Sequence, residues 1–91
     1  DFKKKTSEGA IVIDVRTTEE YSRGHIENSV NIPLDKLEQS LDLLNDKEKT
    51  IITCCASGMR SEKAKKILKK LEYSQVYNGG GWSSLNKKIN K

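Results

Sequence analysis

The sequence predicts a small α/β fold of three layers, with a mainly parallel central sheet flanked by helices. Three observations predict it. Two near-continuous runs rich in β-branched residues, Ala10–Val15 (AIVIDV) and Thr50–Cys54 (TIITC), suit strands buried on both faces. Leucine and isoleucine recur at helical spacing in the stretches that follow them. Glycine, proline or a charged turn closes each segment, so strands alternate with helices. No internal repeat, linker or low-complexity stretch interrupts the pattern, and residues 1–91 read as one domain.

The elements follow in order. Asp1–Gly9 is polar and Lys-rich, either a short helix docked through Phe2 or a frayed arm. Ala10–Val15 is the first strand, with Asp14 and Arg16 at its C-terminal end, the edge where open α/β sheets build sites. Thr17 or Thr18 caps a short helix, and Thr17 with Glu20 makes a capping box. Gly24 stops that helix, and Ile26 packs inward. Ser29–Pro33 (SVNIP) reads as a second strand, and Leu34, Leu37, Leu41 and Leu44 as the apolar face of a helix. After a charged turn, Asn45–Lys49, comes the Thr50–Cys54 strand. A helix from Arg60 to about Tyr73 buries Ala64, Ile67, Leu68 and Leu71. Gln75–Tyr77 is a short strand, Gly79–Gly81 a tight turn or phosphate-loop mimic, and Trp82, Leu85 and Ile89 mark a last helix.

Composition narrows the function. Apolar residues are 34% and charged residues 33%, so the core is economical and the surface heavily charged. The net charge of +4 suits a small anionic substrate or an acidic partner, and equally a solvated Lys-rich surface. Only 5% of residues are aromatic and no basic stripe interleaves with them, which argues against nucleic acid. No apolar run is long enough to span a membrane. Two adjacent cysteines make no disulfide framework, which points to a reducing compartment, read as cytoplasmic. Adjacent cysteines with a single histidine make a poor metal site, so none is expected.

The chain is organised around Thr50–Ser61 (TIITCCASGMRS), a buried strand, a tight loop and a helix N-terminus in succession. Loop amides converging with the helix dipole make a site for negative charge. A cysteine at its mouth ionises more readily than a free thiol. Cys55 is therefore the candidate nucleophile, and Ala56, Ser57, Gly58, Met59 and Arg60 its cradle. Counted from Cys54, the spacing C-x5-R before Ser61 resembles that of cysteine-dependent phosphatases and arsenate reductases. That pattern wants a glycine where Ser57 stands and a histidine where Thr53 stands. Counted from Cys55, the pattern is C-x-x-G-x-R, with a shorter and tighter loop that suits a terminal sulfur better than a phosphoryl group.

Three stretches then resemble one family in order. Cys55–Ser61 (CASGMRS) is similar to the active-site loop of single-domain rhodanese-like sulfurtransferases. Asp14-Val15-Arg16, Glu20-Tyr21, Gly24-His25-Ile26 and Asn31-Ile32-Pro33 resemble that family's first signature, and Val76–Trp82 (VYNGGGW) its closing turn. The resemblance covers about Ala10 to Trp82 and implies a rhodanese-like fold, from which the family's first short strand is missing here. It implies a sulfur relay without cofactor. Cys55 would attack the outer sulfur of a small anionic donor such as thiosulfate and carry it as a persulfide to a thiol, cyanide or protein acceptor. The amides from Ala56 to Arg60 would stabilise the anionic persulfide. Ala56 and Ser57 carry no cation, and the Arg60 side chain is free to anchor the loop on a carboxylate. A non-catalytic module of the same fold is the remaining alternative.

The other conspicuous residues have plainer readings. Cys54 reads as structural, since alternation along the strand turns it away from Cys55, with a redox role as the alternative. Asp14 and Arg16 form a buried pair or loop anchor supporting the site, with direct contact to substrate as the alternative. His25 is a satisfied structural histidine, because the relay needs no general base. Glu20 sits at the pocket mouth or on a solvated helix face. The Lys63–Lys70 cluster is a solvated face or a dock for a sulfur-acceptor protein.

Overall fold

The computed structural model describes all 91 residues. Its four strands are β1 (Ile11–Asp14), β2 (Val30–Asn31), β3 (Ile51–Cys55) and β4 (Val76–Gly81). They form one sheet in the order β2-β1-β3-β4, with every pairing parallel. The helices are α1 (Phe2–Ser7), α2 (Thr18–Ser22), α3 (Met59–Lys70) and α4 (Trp82–Ile89), with a 3₁₀ segment over Leu34–Leu44.

Alternation along β1 and β3 divides the core into two layers. Ile13, Val15, Ile51 and Cys55 face Ala64 and Leu68 of α3 and Leu37 and Leu44 of the 3₁₀ segment. Val12, Ile52 and Cys54 face the other way, against Leu85 of α4, with Phe2, Trp82 and Ile89 packed around them. The predicted three layers are therefore present, and the helical alternative for the N-terminal segment holds. Asp1 caps α1 by accepting from the Lys4 amide. The Thr17–Glu20 capping box opens α2. No helix is long and apolar enough to cross a membrane.

Three expectations differ in detail. The second strand is Val30–Asn31 alone, shorter than Ser29–Pro33. The Leu34–Leu44 stretch is 3₁₀ rather than α-helical. Leu34/Leu37 and Leu41/Leu44 are pairs three residues apart, which a three-residue turn aligns as well as an α-turn does. Ser40 breaks the run at φ −111°, ψ 19°, with its Oγ donating to the Lys36 carbonyl. The α3 helix caps at Leu71 rather than running to Tyr73. Tyr73 turns back into the core and donates its hydroxyl to the Leu44 carbonyl at 2.5 Å.

The largest difference lies at Gly79–Gly81, which belongs to β4 rather than to a separate turn. Gly79 and Gly81 let β4 approach its neighbours closely, while Gly80, with open space around it, takes a left-handed φ of 82°. A Cβ on Gly79 would stand 2.7 Å from Leu85 Cδ2, 2.9 Å from Ile52 Cγ2 and 3.0 Å from the Thr53 carbonyl. Gly79→Ala is therefore expected to cost about 1–3 kcal/mol by overpacking, read as a lower midpoint in chemical denaturation.

The topology also locates a crevice. The chain leaves β1 towards β2 on one side and leaves β3 towards β4 on the other. Such a divergence opens a gap at the strands' C-terminal ends, where α/β sheets bind ligands. Val15 and Arg16 end one lip of that gap, and Cys55 ends the other.

Candidate active site

Cys55 is the last residue of β3, and a register shift between Thr53 and Cys55 sets it opposite Gly81. Such irregularities re-aim side chains at strand ends. The chain then turns through Ala56 and Ser57 to Gly58, whose φ of 102° is left-handed and suits glycine. That turn brings the Gly58 amide back onto Cys55 Sγ at 2.9 Å. The Ser61 amide, in the first turn of α3, donates to the same sulfur at 3.4 Å. The Cys55 thiol donates to the Ser61 hydroxyl oxygen at 3.5 Å, and once the thiol ionises that hydroxyl turns its single proton to the sulfur. The amides of Ala56 and Ser57 have no backbone acceptor. The expected ring of donors from Ala56 to Arg60 is thus narrower: the hydrogen bonds to Sγ come from Gly58 and Ser61, and the Ser57 amide adds a weaker pull.

Burial alone pushes the Cys55 thiol up. The Ser61 hydroxyl and the amides of Ser61, Gly58 and Ser57 outweigh it, and the thiol lies below the ordinary cysteine value. The physical reason is that each of these donors binds the thiolate better than the thiol. Removing one of them should show. Ser61→Ala is expected to move the pH midpoint of Cys55 alkylation upward. It should slow alkylation at neutral pH by roughly tenfold, the worth of one hydrogen bond to a charged group.

Ser61 is itself held by a residue to which the sequence reading gave no role. Ser61 Oγ donates to Asn78 Oδ1 at 2.6 Å. Asn78 Oδ1 also accepts from the Gly80 amide at 2.8 Å. Asn78 Nδ2 donates to the Gly58 carbonyl at 3.3 Å and to Glu62 Oε1 at 3.1 Å. Asn78 therefore ties β4 to the loop and to the start of α3. The only signal for it was its place beside the glycine run in VYNGGGW.

Cys54 occupies the opposite face. It is fully buried among Val12, Ile26, Ile52 and Leu85. Burial pushes its thiol up to about 12, with the Asp14 charge adding to the rise. No loop amide donates to it, so the phosphatase-like register has no anion cradle. Adjacent strand residues point to opposite sides of the sheet, so the loop cradles Cys55 and not Cys54.

Arg60 turns away from the sulfur. Its Nη1 and Nη2 pair with Glu20 Oε1 and Oε2 at 2.7 and 3.0 Å. Glu20 also accepts from the Thr17 amide at 2.9 Å. Arg60 first, and Thr17 after it, hold the Glu20 carboxyl down to about 2. The pair is partly exposed, so it adds little stability, but it fixes where the guanidinium points. It clamps α2 to the start of α3.

The predicted supporting residues divide accordingly. Asp14 and Arg16 form a buried ion pair at 2.7 Å. The pair lies on the Cys54 side, since Asp14 is the register partner of Cys54. Arg16 donates to the carbonyls of Glu20 at 3.3 Å and Gly24 at 2.7 Å, and lies over the Trp82 ring at 4.8 Å. His25 stacks on Tyr21 with ring centroids 3.7 Å apart, and its Nδ1 meets the Tyr21 carbonyl at 2.7 Å. It is exposed and makes no hydrogen bond to the loop. A shallow cleft of ≈ 310 Å³, lined by Val15, Thr17, Pro33, Leu34, Asp35 and Arg60, opens at the end of β1.

Residues 1–88 match the family model described as Rhodanese-like domain. The chain is 37% identical over 70 residues to the thiosulfate sulfurtransferase PspE of Escherichia coli, covering 76% of this chain and 67% of that protein. It is 36% identical over 74 residues to a tRNA uridine(34) hydroxylase of Erwinia tasmaniensis, covering 76% of this chain but 21% of that protein. Among solved structures, a rhodanese with anions from E. coli superposes with a TM-score of 0.78 at 36% identity, over 82% of this chain and 89% of that one.

Proposed function

The chain belongs to the rhodanese-like family, and from that premise we propose that it is a sulfurtransferase that carries a sulfane sulfur as a persulfide on Cys55. The observation that carries the reading is the convergence of the Gly58 amide, the Ser61 amide and the Ser61 hydroxyl on Cys55 Sγ. These groups favour a thiolate, the attacking form, and then an anionic disulfur group in the same place. The thiolate attacks the outer sulfur of the donor, and the donor's S–S bond breaks. With thiosulfate the leaving group is sulfite, and both negative charges of the donor depart with it. A thiolate or cyanide then attacks the outer sulfur and restores the Cys55 thiolate.

Cys55 is fully buried at rest, so the donor reaches it only when the loop gives way. The segment able to do so is Ala56–Ser57, exposed and without backbone hydrogen bonds through its amides. Arg60 keeps its bond to Glu20 and holds the far end of the loop. Neither Ala56 nor Ser57 adds a positive charge, so a donor anion is held by main-chain dipoles.

Intact mass after incubation with thiosulfate tests the site and the chemistry together. The expected result is a gain of one sulfur atom that a reductant removes, and thiocyanate when cyanide is added. No gain from thiosulfate or from an alkyl persulfide would overturn the reading.

A further inference from the structure

We propose that the exposed face of α3, starting at Met59, is the docking surface for an acidic protein whose cysteine exchanges sulfur with Cys55. This rests on the sulfurtransferase reading and names the partner of that site. At 100° per residue, Met59, Lys63, Lys66 and Lys70 fall within an arc of about 60°, and they extend about 16 Å along the helix. All four are exposed, Met59 to 73%.

The charge of this stripe is not neutralised within the protein. The ion pairs are Asp14–Arg16, Glu19–Arg23 and Glu20–Arg60, and none uses a lysine of α3. Glu62, the one acid on α3, accepts from Asn78. Cations are absent from Ala56 and Ser57, and Arg60 is paired with Glu20. The positive charge near the site therefore faces outward from the helix, where it steers a large partner rather than holding a small anion. A solvated face accounts for the lysines but not for the methionine that heads them. Exposed methionine is enriched where proteins meet. Met59 follows Gly58, whose amide binds Cys55 Sγ, so a partner seated on the stripe brings its own cysteine over Ala56–Ser57. The exchange balances as a simple displacement: a thiolate of the partner attacks the outer sulfur of the Cys55 persulfide, and the Cys55 thiolate leaves. An RNA partner is disfavoured because no aromatic side chain lies on the stripe for bases to stack on.

The test uses the full chain loaded with thiosulfate and mixed with two cysteine peptides of the same core, one flanked by glutamates and one by lysines, with cyanide as reference acceptor. The acidic peptide should take sulfur at least ~10-fold faster than the basic one at low salt, with the gap closing as salt rises. Lys63→Glu/Lys66→Glu/Lys70→Glu should reverse the preference, each rate taken relative to cyanide. Equal rates for the two peptides would overturn the proposal. So would a preference that survives the triple substitution, or a mixed-sequence RNA that binds the stripe where the acidic peptide does not. A chain that never loads sulfur would instead defeat the sulfurtransferase reading beneath it.

Discussion

Replacing Cys55 by serine is expected to remove sulfur loading, to at least ~10³-fold below the native protein, while the fold survives. Serine is nearly the same size. Its oxygen is offered the same Gly58 and Ser61 donors, so packing changes little. The alcohol does not ionise near neutrality and forms no persulfide. Its neighbour makes the control. Cys54→Ala should keep loading within about twofold, because Cys54 faces the other layer of the core and its thiol is pushed up to about 12 by burial. The cost should appear in stability instead, about 1 kcal/mol for a small cavity among Val12, Ile26, Ile52 and Leu85. Loading measured by intact mass separates the two substitutions. Loss in Cys54→Ala with retention in Cys55→Ser would mean that the loop is registered on the wrong cysteine.

That pair of cysteines also shows what a linear reading can and cannot deliver. Period-two alternation already separates Cys54 from Cys55, and the apolar runs at Ala10–Val15 and Thr50–Cys54 locate the two central strands to within a residue or two. The capping box at Thr17 and Glu20 is legible because both partners are local. Contacts between distant segments are not. The bond from Arg60 to Glu20 spans forty positions, |i−j| = 40; that Arg60 turns from the sulfur to a carboxylate is legible in the loop, but that the carboxylate is Glu20 is not. Asn78 reaches Ser61 from a different strand, so nothing adjacent in the chain announces it. Gly79–Gly81 misled for a different reason. Glycine signals either a turn or a close approach, and the packing of Leu85 and Ile52 against Gly79 and of the Ala56 carbonyl against Gly81 chooses the second for those two, while Gly80 keeps a left-handed φ within the strand. The leucine spacing at Leu34–Leu44 fits two helix types, and nothing in it announces the kink at Ser40.

Removing the Asp14 carboxylate should be the most damaging single change to stability. Asp14 is 0% exposed and Arg16 4%. Asp14 Oδ1 accepts from the Arg16 amide at 3.0 Å and from Nε at 2.9 Å, and Oδ2 accepts from Nη2 at 2.7 Å. In Asp14→Ala the guanidinium stays buried with only the Glu20 and Gly24 carbonyls and the Trp82 face for company. An uncompensated buried charge of this kind costs about 3–5 kcal/mol. That is a large share of the roughly 5–15 kcal/mol that holds a domain together. Denaturant titration should show it as a sharply lowered midpoint. The double variant Asp14→Leu/Arg16→Met separates stability from function. With both charges gone, the penalty disappears, and stability should return to within about 1–2 kcal/mol of native. Transfer should not return in step. Arg16 tethers α2 through the carbonyls of Glu20 and Gly24, and the Glu20 side chain grips Arg60 at the start of α3. Without that tether the loop over Cys55 loses an anchor, and sulfur loading should stay several-fold below native although the protein is folded. If loading in the double variant recovered fully along with stability, the Asp14–Arg16 pair would be an element of the core alone, with no part in setting the loop.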